Sequence, residues 1–164
     1  MRLGRILHPQ LAHALATLGH SDILLVTDAG FPIPADANRI DLGFYPGTVD
    51  VLEILRVLRQ ELFFDKITMA SDVPAFNPQL YRDVQGIFTG SGADFEAIAH
   101  QELIASVAPR AKVVIRSGSL NPWANFAMVA STDPAAWFKE GMTPLPEYQE
   151  RSRRIKENVI PQLG

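Results

Sequence analysis

Four short, almost wholly apolar runs constrain this chain more than anything else in it: ILLVT at 23–27, KITMA at 66–70, KVVIR at 112–116 and FAMVA at 126–130. Continuous rather than alternating runs of this length mark strands buried on both faces. Between them the apolar spacing turns helical. Residues 9–18 carry it with Pro9 in the first turn and Gly19 just past the end, and 50–62 carry it again. At 78–88, Asn77 is positioned as N-cap and Pro78 as first helical residue. A shorter strand is predicted at 94–98 and a short helix at 100–107. Strands interleaved with helices imply an α/β fold, a single-domain open sandwich with a mostly parallel sheet flanked by helices. Ligands of such sheets collect beyond the carboxyl ends of the strands, which directs attention to Asp28, to Ser71 and Asp72, and to Ser117 through Asn125.

Two stretches stand outside this alternation. Residues 28–47 hold three prolines and three glycines, too punctuated for a helix or a regular strand, yet Phe31, Ile33, Ile40, Leu42 and Phe44 predict a loop packed down on the core. Beyond residue 131 come four prolines, a short helix predicted near 134–140 and a charged one near 146–158. The expected division is a main unit over 1–131 and a C-terminal helical extension over 132–164, packed on that unit or on a neighbouring subunit.

Composition narrows the chemistry. A chain of 164 residues suits one domain that buries about 70% of its unfolded surface. With no cysteine there is no disulfide, thiolate metal site or cysteine nucleophile, which fits a reducing compartment. The first fifteen residues do not read as a secretory signal and no run approaches membrane-spanning length, so a cytoplasmic protein without a membrane partner is expected. Arg151, Arg153 and Arg154 alternate with Glu147, Glu150 and Glu157, the pattern of a solvated helix face rather than a nucleic-acid surface. His8, His13, His20 and His100 lack metal-site spacing, and His8 and His13 read as helix-start and boundary residues. No phosphate-binding loop, dinucleotide fingerprint or G-x-S-x-G elbow occurs, so no metal or cofactor is expected.

His20 sits in LGHSD, after a helix-ending glycine and before a buried strand, where a side chain is rigidly aimed. An imidazole both gives and takes a proton near neutrality, so this position reads either as an acid–base group or as a helix cap bonded to Asp22. Asp28 ends an apolar strand and is expected close by His20; it reads either as a carboxylate for a histidine or a sugar hydroxyl, or as an Asx turn. In RSGSLNPWANF, residues 116–126, Trp123 and Asn125 offer a flat aromatic face beside an amide, a way to hold a sugar. The alternative is a plain loop with a core tryptophan.

LGHSD at 18–22, DAGFPIP at 28–34, RID at 39–41, NPQL at 77–80, His100, and VIRSG with PWAN at 114–125 together resemble the RbsD/FucU family of D-ribose pyranases and L-fucose mutarotases, with the ribose branch favoured by NPQL. The resemblance spans roughly residues 1–131. It implies cofactor-free interconversion of the ring forms and anomers of a free monosaccharide, in subunits assembled as pentameric rings or decamers. It also implies His20 as catalytic acid, with Asp28, His100, Trp123 and Asn125 as substrate-binding residues. A non-catalytic sugar-binding protein of the same fold is the alternative. Two departures stand out: Trp123 replaces the family's usual tyrosine, and about thirty residues continue beyond the family's usual end.

Overall fold

The computed structural model describes residues 5–164. Its centre is a six-stranded sheet of β1 (Ile23–Thr27), β2 (Arg39–Asp41), β3 (Phe63–Ala70), β4 (Asp94–Ile98), β5 (Val113–Arg116) and β6 (Phe126–Ser131), in the order β2-β5-β1-β6-β3-β4. Five strands run the same way. The exception is β6, which lies antiparallel between β1 and β3, pairing Leu24 with Met128 and Ile67 with Met128 on its two sides. Asp28, Ser71, Ser117 and Asn125 therefore all stand at one edge of the sheet, because β6 enters where the others leave.

Alternation of side chains along the strands divides the core. Leu24, Val26, Ile67, Met69, Val113 and Ile115 face the helices α1 (Pro9–Ala16), α2 (Val51–Glu61) and α4 (Pro78–Phe88), which return Leu11, Leu15, Ile54, Leu55, Leu58, Leu80, Val84 and Phe88. On the opposite face, Leu25, Val114 and Ala127 pack against Phe31, Leu103, Val107 and Ala108. Toward β3 and β4 that face turns polar: Thr68 donates to Glu96 at 2.9 Å, and Lys66 pairs with Glu96 at 3.2 Å. Among the described residues no helix is long and apolar enough to cross a membrane.

Several elements depart from expectation for local reasons. Helix α1 stops at Ala16 with Thr17 as cap, two residues before the predicted end, because the Thr17 hydroxyl and N–H both turn back to the last carbonyls. Strand β2 forms inside the punctuated loop, where only Ile40 of its three residues needs burial. Helix α3 (Asp72–Phe76) fills the β3–α4 connection. The predicted 100–107 helix is a succession of turns: α5 (His100–Glu102), a wider turn over Leu103–Val107 whose cap N–H reaches five residues back, and a tighter one over Ala108–Arg110. In the C-terminal segment, α7 (Pro146–Lys156) lies against the amino ends of β3 and β4, and α6 (Pro134–Trp137) packs on α7.

Candidate active site

At the carboxyl edge, Asp28 and Asn125 hold one another. The Asp28 backbone N–H donates to Asn125 Oδ1 at 2.9 Å, and Asn125 Nδ2 donates to Asp28 Oδ2 at 2.8 Å. Asp28 Oδ1 accepts the Gly30 N–H at 2.9 Å, so the Asx turn and the oriented carboxylate are one arrangement rather than alternatives. Asn125 is buried, which removes water as a competitor for those bonds.

The loop before Asn125 is braced from α4. Asn77 caps that helix with its Oδ1, and its Nδ2 donates to Asn121 Oδ1 at 2.6 Å and to the Pro122 carbonyl at 3.1 Å. Thus NPQL and NPWAN, 44 residues apart at their asparagines, form one unit. Trp123 sits at φ 60°, a left-handed conformation that costs a bulky residue of order 1–3 kcal/mol. Its ring is half-buried on the core and lies 5.9 Å from that of exposed Phe76. A bulky residue kept in that conformation at a strand end makes this segment a candidate functional wall.

His100 begins α5 beyond β4, and its ring meets Phe31 edge-on at 6.3 Å. The loop that starts with Asp28 therefore runs to the histidine. His100 Nδ1 is buried without a hydrogen-bond partner among the described residues, so it has bonding capacity left for a ligand.

His20 lies elsewhere. It precedes β1 whereas Asp28 follows it, so the five extended residues of that strand, roughly 16 Å of chain, lie between them. The expectation that Asp28 is close by does not hold within one chain, because the strand is extended and both residues flank it. Asp22 is also not the histidine's partner. Its carboxylate accepts the Gly19 N–H at 2.6 Å and Lys112 Nζ at 2.7 Å, and Lys112 foremost, then Gly19, hold it below the usual carboxylate range. His20 Nδ1 instead faces Asp65 Oδ2 at 3.8 Å. Asp65 was hidden from sequence reasoning; its one signal is a lone acid interrupting the apolar start of a strand, where the β3–β6 register slips between Phe64 and Lys66 and turns the side chain out. Exposed His20 borders a cleft of ≈ 600 Å³ shared with Asp65, Asp94, Tyr148, Arg151 and Arg154.

The sequence profile of the RbsD / FucU transport protein family matches residues 1–132. The chain belongs to this family. It is 38% identical over 148 residues to D-ribose pyranase 2 of Rubrobacter xylanophilus, covering 90% of this chain and 95% of that protein. It is 40% identical over 147 residues to D-ribose pyranase 1 of Streptomyces griseus, covering 90% and 96%. Both matches are longer than the 132-residue family segment and so run into the C-terminal one. The structure of Bacillus subtilis RbsD complexed with D-ribose superposes with TM-score 0.76 at 32% identity, over 81% of this chain and 99% of that one. Family membership and the α/β fold expected from the apolar runs are thereby established.

Proposed function

We propose that this protein is a cytoplasmic isomerase that interconverts the ring forms and anomers of a free monosaccharide, ribose first, with His20 as the proton-transfer group. The carrying observation is the doubly bonded pair of half-buried Asp28 and buried Asn125, in the loop that carries Trp123, together with His100, which meets Phe31 of the Asp28 loop and has an unused buried nitrogen. This set offers hydrogen bonds to hydroxyls and an aromatic face to C–H bonds, which is how a small sugar is held. Relatives named D-ribose pyranase, and a neighbour with D-ribose in its complex, support the substrate class.

A cyclic hemiacetal opens when the anomeric hydroxyl loses a proton and the ring oxygen gains one, breaking the bond from the anomeric carbon to the ring oxygen. Rotation of the freed carbonyl and closure by the same or another hydroxyl then gives the other anomer or ring size. General acid–base help of this kind contributes about 10²–10⁴-fold. A histidine with Nδ1 toward a carboxylate keeps Nε2 for the sugar.

Sugar-holding residues at one sheet edge and the histidine at the other are two half-sites. The reading therefore includes assembly into a ring, where His20 of one copy enters the carboxyl edge of the next. Phe44, Tyr45, Phe76 and Leu120, all large, apolar and exposed near that edge, are the kind of surface a neighbouring copy covers. In this division residues 1–131 carry the sugar chemistry and 132–164 are an accessory segment. Saturation-transfer NMR on ribose and fucose tests the activity: the protein is expected to speed exchange between ring forms, and His20→Ala to abolish the acceleration. Wild-type protein that accelerates no aldose would refute it, and sugar binding without acceleration would favour a purely binding role.

A further inference from the structure

Helix α7 buries a single side chain outright, and it is an arginine. Burying a guanidinium is costly, and a helix that only had to be seated would do so better through leucine. Arg151 is nonetheless 3% exposed, and burial pushes its pKa down against the opposing charge of Asp65. Gly92 is shaped to admit it: at φ 76°, any Cβ there would meet Arg151 Cγ and Ile155 Cγ1 at 2.8 Å. The guanidinium spans three partners, with Nη1 donating to Asp65 Oδ1 at 2.9 Å and Ser131 Oγ at 2.5 Å, and Nη2 to the Thr132 carbonyl at 2.7 Å. Its Cζ lies 5.9 Å from the centroid of the Phe63 ring. Asp65, turned out of the ladder by the register slip, thus has one oxygen fixed by Arg151 and the other facing His20 Nδ1.

We propose that Arg151 is a positioning residue for His20, acting through Asp65, so that the segment beyond the family's matched residues 1–132 holds the imidazole in the tautomer and orientation that proton transfer needs. This rests on the reading of His20 as the proton-transfer group. A carboxylate free to rotate about its own χ angles would orient the ring loosely; one clamped on its far oxygen presents a fixed acceptor to Nδ1–H. The 3.8 Å separation closes by a small imidazole rotation or one bridging water, as in many ligand-free sites.

The test combines sugar-exchange kinetics with ¹⁵N shifts of the His20 ring nitrogens. Arg151→Met keeps bulk and removes the clamp. It is expected to lower the rate at saturating sugar about ten- to hundredfold while leaving KM within about twofold, and to move His20 away from the Nδ1–H tautomer. Arg151→Lys, which still reaches Asp65, is expected to recover part of both. A folded Arg151→Met protein with wild-type rate and wild-type ¹⁵N shifts overturns the proposal. Should that variant fail to fold, Arg151→Lys and Ser131→Ala decide: altered His20 shifts in either support positioning, and unchanged shifts in both overturn it. Full activity in His20→Ala would remove the catalytic reading alone, since the ¹⁵N shifts report the Arg151–Asp65–His20 geometry regardless of turnover.

Discussion

His20 and Asp28 stand at opposite ends of β1, one exposed before Ile23 and the other anchored directly after Thr27. A fully extended strand cannot bend its two flanks together. In the proposed function the proton-transfer group and the sugar-holding residues are therefore spatially separate within a chain, and each half of the proposed site has its own supports. Asn125 and Asn77 brace one half; Asp65 and Arg151 brace the other.

Asn125→Ala removes both bonds to Asp28 and leaves a backbone N–H and a carboxylate without their partner. The expected cost is about 1–3 kcal/mol in chemical denaturation, with KM for ribose raised about tenfold and the saturated rate less affected. An unchanged KM would mean that Asp28 does not hold the sugar.

Trp123 reports on the wall directly. The chain has two tryptophans, and the other, Trp137, is exposed on α6. In Trp137→Phe protein the remaining emission is expected to shift on ribose addition and to saturate with it. A featureless titration, in protein that accelerates exchange, would remove Trp123 from the binding surface.

Four of the predicted strands were legible because each is an almost unbroken apolar run, α2 because its apolar residues recur at helical spacing, and α4 because Asn77 and Pro78 mark its start. What stayed hidden depends on partners far along the chain. The reversed direction of β6 leaves no mark in FAMVA, which is as apolar as its parallel neighbours. Arg151 read as part of a solvated face, and Arg153, paired with Glu150 and Glu157, fits that reading. Arg151 does not: its acid is 86 residues away, on a strand whose register slip only the pairing reveals. The candidate residues are legible one by one in the sequence, while their division between two sheet edges requires the strand to be seen as a spacer.

Asp22 makes the His20 junction acid-sensitive. Its carboxyl is held below the usual value by Lys112 and Gly19, so the ionised form stabilises the fold. That contribution is complete above about pH 3.9 and is lost as pH falls from there through the lower folded value. The melting temperature of wild type should exceed that of Asp22→Asn by less at about pH 3 than at about pH 6. A difference independent of pH would show that the Lys112–Asp22 pair adds nothing.

The proposed shared site, in which His20 of one copy works on a sugar held by Asp28 of another, is tested most directly by mixing two inactive variants. His20→Ala and Asp28→Asn, each unable to speed ribose exchange alone, are co-expressed in equal amounts and the mixed assembly is measured by saturation-transfer NMR. Random mixing leaves about a quarter of the two-copy sites with both residues intact, so about a quarter of wild-type acceleration should return. A mixed assembly that remains as inactive as either variant would contradict the shared site.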